Sequence, residues 1–147
     1  RLRVTLLCRR PDEFPSADGL IVVDLDPVER DEAFEKKERR EAFFFPQNGI
    51  NESEDIYRMP EGFEVFYVPP DLELAGPYLS FTRTFRRTPL GVTVRESWNT
   101  KRVMLKKEAM AELQKFHADL SRQTRQRIVF RKRTGNEAVA RDAGTSP

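Results

Sequence analysis

The chain has 147 residues, 38% hydrophobic and 34% charged, and its net charge of +2 conceals three blocks of opposite sign. That length suits one domain, but the apolar content falls below the roughly 45–50% of an average globular chain and leaves only a small core. A single cysteine, Cys8, excludes an internal disulfide framework and fits a reducing intracellular compartment; no apolar run approaches a membrane span of roughly 20 residues, and no signal peptide or lipidation motif is visible.

Leu2, Val4 and Leu6 alternate with Arg3 and Thr5, which is strand spacing, and Pro11 and Pro15 then bound a loop. Leu20 to Leu25 is a short apolar run rich in β-branched residues and reads as a buried strand. A helix is expected next, with Asp26 as N-cap, Pro27 at the first helical position and Glu29 completing a capping box. Its acids come first and its bases later, as the helix dipole prefers, and it should reach about Phe44 and stop before Pro46. Residues 46–62 read as a polar loop with turns at Asn48-Gly49 and Pro60-Glu61-Gly62, followed by a strand over Phe63 to Val68 and a linker that holds Gly76-Pro77.

The clearest local unit is a hairpin of Tyr78–Arg87 and Val92–Trp98, joined by a four-residue loop, Thr88-Pro89-Leu90-Gly91. Leu79, Phe81 and Phe85 share one face of its first strand; Val92, Val94 and Trp98 share one face of its second. A second helix is expected from near Thr100 to beyond Arg125, because Leu105, Ala109, Leu113, Phe116 and Leu120 form one helical stripe. Ile128-Val129-Phe130 fits either a continuation of that helix or a strand. The fold class predicted is α+β: a small, mainly antiparallel sheet with two helices and extended loops, residues 1–133 forming one domain and 134–147 a disordered tail.

The run Leu20 to Leu25 followed by Asp26 places Asp24 and Asp26 at the end of a hydrophobic strand. This resembles the first motif of haloacid-dehalogenase-like phosphatases, over about eight residues. The resemblance implies Asp24 as nucleophile, Asp26 as general acid/base and magnesium nearby, since two carboxylates there can hold a hard cation and attack phosphorus. The family also needs a later Ser/Thr, a Lys and an acidic pair. Beyond residue 77 the acids Glu96, Glu108, Glu112, Asp119, Glu137 and Asp142 form no such pair. His117 is the one histidine, and with Cys8 it makes too small a donor set for a transition metal. No P-loop, dinucleotide fingerprint, nucleophile elbow or zincin motif occurs, so neither catalysis nor a cofactor, metal or small-molecule substrate is expected.

The charge blocks carry the functional expectation. Residues 1–10 have four arginines and no acid, residues 11–76 have 18 acids against 6 bases, and residues 77–147 have 16 bases against 6 acids. Lysine and arginine neutralise phosphates and release counterions, giving affinity without sequence reading. The predicted RNA-contacting set is Arg83, Arg86, Arg87, Arg95, Lys101, Arg102, Lys106, Lys107, Arg122, Arg125, Arg127, Arg131, Lys132 and Arg133. Trp98 adds an aromatic surface able to stack on bases. The expected function is thus a non-catalytic component of a ribonucleoprotein of the organellar ribosome-associated type, touching RNA and neighbouring proteins. The chain opens on Arg1 and not on Met, which accords with a matrix protein after presequence removal or with a boundary chosen inside a longer chain. The alternative is a protein–protein scaffold or accessory subunit of a large complex with no RNA contact; separately, docking of the acidic half on the basic half of the same chain would leave little field for nucleic acid.

Overall fold

The computed structural model of the chain describes residues 16–28, 43–44, 49–101 and 104–134. The expected first strand (Leu2 to Leu6) and most of the first helix (27–44) lie outside these residues, as does the tail beyond Thr134.

Two antiparallel sheets carry the fold. In the first, β1 (Ser16–Ala17), β2 (Leu20–Asp24), β10 (Arg127–Lys132) and β5 (Phe63–Tyr67) lie in the order β1-β2-β10-β5. In the second, β4 (Gly49–Arg58), β8 (Gly91–Thr100), β7 (Leu79–Thr88) and β6 (Leu72–Ala75) lie in the order β4-β8-β7-β6. A two-stranded ribbon pairs β3 (Phe43–Phe44) with β9 (Met104–Leu105). Every pairing among the described residues is antiparallel. Among the described residues there is one α-helix, α1 (Met110–Gln123), entered through a 3-10 turn at Lys107–Ala109. It is too short and too polar to cross a membrane.

The apolar periodicities decide what is buried. Val23 and Leu25 from the β2 segment and Ile128 and Phe130 from β10 meet Val92 and Val94 of β8, and Tyr57, Val65 and Phe85 close around them. This inter-sheet layer is the main core. A second cluster joins Leu79 of β7 to Ala109, Met110 and Leu113, with Tyr78 and Phe116 at its margin. Phe81 is fully enclosed and tilted against Trp98, its cross-strand partner, at a centroid distance of 4.8 Å. Such a pair adds to the burial of both rings.

Several expectations need correction. Residues 49–58 are a strand, not a loop: β4 pairs with β8 along its whole length, but it is an edge strand exposed along most of its residues, with Tyr57 alone half-buried against the core, and so lacks apolar alternation. The linker before Gly76 holds β6. Phe43 and Phe44 are in strand pairing and do not end a helix. The second helix starts at Met110, not near Thr100, because residues up to Thr100 remain paired in β8. It ends before Thr124, whose amide and hydroxyl both donate to the Leu120 carbonyl (2.9 and 2.8 Å). Ile128-Val129-Phe130 is accordingly a strand, with Ile128 and Phe130 inward. The hairpin loop is also tighter than expected: Thr88 pairs with Gly91, leaving only Pro89 and Leu90 between. Gly91 permits this. Its φ is +142°, and a Cβ there would lie 2.0 Å from the Tyr57 carbonyl oxygen, so only glycine lets β4 close on the hairpin.

Candidate interaction surface and the charged groups

Antiparallel pairing brings the acidic and basic blocks together residue by residue. Asp24 is the direct neighbour of Arg127, Glu54 of Arg95, and Glu64 of Arg131, and each of these register partners is also an ion pair. The Arg127–Asp24 contact is 3.3 Å, and Arg131 donates through Nε to Glu64 Oε1 at 3.0 Å while its guanidinium lies over the Phe66 ring. All three pairs are exposed, so each adds little stability, but each matches opposite charges directly across a sheet. Three of the arginines expected to meet phosphate thus face carboxylates from the acidic block.

Arg83 lies elsewhere. The face that holds Leu79, Phe81 and Phe85 also holds residue 83, so its guanidinium points between the sheets, and the residue is 2% exposed. Nε donates to Glu96 Oε1 at 2.7 Å, Nη1 to the Thr124 carbonyl at 2.8 Å, and Nη2 to the Asp26 carbonyl at 3.1 Å. Gln126 Oε1 accepts a longer bond at 3.4 Å. Thr124 in turn accepts the Val28 amide on its hydroxyl at 3.0 Å. One side chain therefore ties the hairpin to the end of α1, the start of β10 and the segment after β2. Tyr57 borders the same region; burial, together with the carboxylates of Asp55 and Asp26, pushes its hydroxyl up to about 12.

The other expected contacts divide by location. Arg87 donates to the Val65 carbonyl at 2.8 Å and the Phe66 carbonyl at 3.4 Å. Lys101 donates to the Gly76 carbonyl at 3.2 Å, and Arg122 pairs with Asp119 at 2.8 Å. Arg86, Lys106, Arg125, Lys132 and Arg133 are exposed, and among the described residues no carboxylate pairs with them. Arg102 and the side chain of Lys107 lie outside the described residues. Arg133 and Arg58, with Glu61 and Leu90, line an open depression of about 400 Å³ at the hairpin tip.

Of the two carboxylates of the phosphatase-like motif, Asp24 pairs with Arg127, and Asp26 contributes its backbone carbonyl to Arg83. Glu29, the other half of the expected capping box, lies outside the described residues. Among those residues no group of three or more His, Cys, Asp or Glu side chains is placed to hold a metal ion. His117 is buried on α1, edge-on to Phe116 at 5.9 Å. Sequence reasoning missed the inward role of Arg83, although the turn at Pro89-Leu90 sets the register that places Glu96 opposite it.

Among the described residues, the fold and its charge pairing define a small antiparallel module of two four-stranded sheets, a two-stranded ribbon and one α-helix. Residues 21–130 match the family described as a domain of unknown function with a solved structure (DUF3858), and the chain belongs to that family. No individual curated protein and no individual solved structure matches the chain.

Proposed function

We propose that the chain is a non-catalytic protein–protein module, an accessory or scaffold element of a larger protein or assembly. The observation that carries this reading is the direct pairing of Asp24, Glu54 and Glu64 with Arg127, Arg95 and Arg131. Those arginines are already neutralised within the fold, and Arg83 is enclosed, so much of the basic block has no field left for a polyanion. The commitments of Asp24 and of the Asp26 carbonyl support a structural role for that segment over a phosphatase-like one. The experiment is purification with native partners, with and without nuclease. Partners should stay bound after nuclease treatment; their release would favour RNA.

The ribonucleoprotein reading keeps one supporting observation. Arg58 and Arg133 flank the depression at the hairpin tip, and Arg86, Arg125 and Lys132 are exposed without carboxylate partners among the described residues. Under that reading, Arg133→Gln together with Lys132→Gln weakens binding of unrelated RNA sequences alike, and the salt dependence becomes shallower.

A further inference from the structure

Three backbone hydrogen bonds hold the tip of the β7–β8 hairpin to its surroundings. The Met59 amide donates to the Leu90 carbonyl at 2.8 Å, joining the end of β4 to the turn. The Phe63 amide donates to the Pro60 carbonyl at 3.2 Å and closes the turn that leads into β5. The Arg133 amide donates to the Gly62 carbonyl at 2.9 Å and ties the chain after β10 to that same turn. The depression between these segments thus has walls fixed by main-chain bonds. Its volume of about 400 Å³ lies within the roughly 300–1,000 Å³ of ordinary ligand sites.

Its lining combines charge with apolar surface. Arg58 and Arg133 are both exposed, and among the described residues no carboxylate pairs with either guanidinium. Leu90, at a turn position where glycine and small polar residues are usual, is 65% exposed beside Pro89 and Phe63. Glu61 lines the same depression, so the local balance is two cations against one anion. A single incoming carboxylate neutralises that surplus. A phosphodiester chain brings a charge with every nucleotide and would press the next one against Glu61 and the apolar wall. We propose that the depression seats a segment of a partner protein that carries one aspartate or glutamate between apolar side chains. The carboxylate accepts hydrogen bonds from Arg58 and Arg133, and its apolar neighbours cover Leu90, Pro89 and Phe63. Guanidinium–carboxylate bonds are charge-assisted and directional, and burying the leucine adds affinity that charge alone does not supply. The inference rests on the protein–protein reading and gives it a surface and a partner chemistry.

The test titrates the full chain with the end-capped peptide Ser-Leu-Glu-Leu-Ser and follows the amide resonances of the protein. Saturable shifts should gather at Met59, Glu61, Gly62, Phe63, Leu90 and Arg133. Glutamine in place of the peptide's glutamate should weaken binding about tenfold, and so should Arg58→Gln or Arg133→Gln in the chain. Both arginines are exposed, so resonances far from the depression should stay in place and show that these variants fold. Glu61→Gln should leave peptide binding intact or tighten it. Equal binding of the glutamine peptide, or shifts confined to another surface, would overturn the proposal. So would failure to bind both the parent chain and the variant Glu137→Gln/Asp142→Asn. Binding seen only in that variant would make the chain's own last residues the occupant, and the partner form would be wrong. If oligouridylate shifts the same amides at lower concentration than the peptide, the depression is a phosphate contact and the proposal is equally wrong. If no peptide binds but native partners survive nuclease, this site falls and the protein–protein reading stands. If nuclease releases them, that reading falls whatever the peptide does.

Discussion

The guanidinium–carboxylate pair occurs in two settings in this molecule. Between the sheets, Arg83 and Glu96 have side-chain exposures of 3% and 22%, and the arginine also bonds to two backbone carbonyls. On the surface, Arg127–Asp24 and Arg95–Glu54 have both partners substantially exposed. All of them join direct cross-strand neighbours, so sequence register is not what separates them. Water is. Arg83 has lost its hydration and is stable only while its donors find acceptors, and Glu96 keeps part of its contact with water; the surface pairs keep theirs and mainly cancel charge. One setting organises the fold and the other shapes what the protein presents to partners.

The largest effect should come from breaking the buried pair on one side. Arg83→Met takes the guanidinium donor from Glu96 and from the Asp26 carbonyl, leaves the Thr124 carbonyl with the Gln126 amide alone, and should cost about 3–5 kcal/mol in chemical denaturation. Adding Glu96→Leu should recover much of that loss, because replacing both charges with apolar groups removes the unpaired carboxylate. If the double variant is no more stable than the single, the carbonyl bonds of Arg83 matter more than its charge. Thr124→Val tests those neighbours. It deletes the hydroxyl that accepts the Val28 amide and should cost about 1–3 kcal/mol.

Tyr57 reports on the same region through pH. Its pKa is raised from 10.0 to about 12 in the folded state, so the fold holds this proton more tightly than the unfolded chain does. The resulting stability is complete below pH 10 and is lost as pH rises from 10 through about 12. Denaturation at a series of alkaline pH values should show stability falling across that window, and Tyr57→Phe should flatten the fall. At the other end of the scale, Arg127→Gln and Arg95→Gln should each change stability by only about 0.2–1 kcal/mol, and less in high salt. A loss as large as that of Arg83→Met would erase the distinction between the two settings.

How much of this was legible depends on which physical signal each segment carries. The β7–β8 hairpin was readable because Pro89 and Gly91 mark the turn and the flanking residues alternate. The middle of α1 was readable from Leu113, Phe116 and Leu120, but its start was not. Leu105 continues the same spacing while belonging to a strand, since a 3.6-residue stripe does not say where hydrogen bonding changes. The edge strand β4 gave little signal: its first eight residues are all exposed and only Tyr57 packs on the core, so the alternation by which strands are recognised is missing. The charge blocks were plain, but their meaning was not. Whether Arg95, Arg127 and Arg131 meet phosphate or carboxylate depends on long-range strand pairing that local sequence does not encode. Arg83 was the one site residue whose position could have been read. It sits between Phe81 and Phe85 on the inward face, and the turn puts Glu96 across from it.

The most direct measurement compares RNA binding by the parent chain with that of the variant Asp24→Asn/Glu54→Gln/Glu64→Gln across a salt series. If the surface carboxylates neutralise Arg127, Arg95 and Arg131, the parent should bind RNA only weakly. Removing the three carboxylates should then strengthen binding and steepen the dependence of log affinity on log salt by up to about 2, at roughly 0.7 for each phosphate contact. A parent that already binds tightly, with a slope near −4 that the variant leaves unchanged, would contradict the account, because roughly six basic groups would be meeting phosphate despite their carboxylate neighbours.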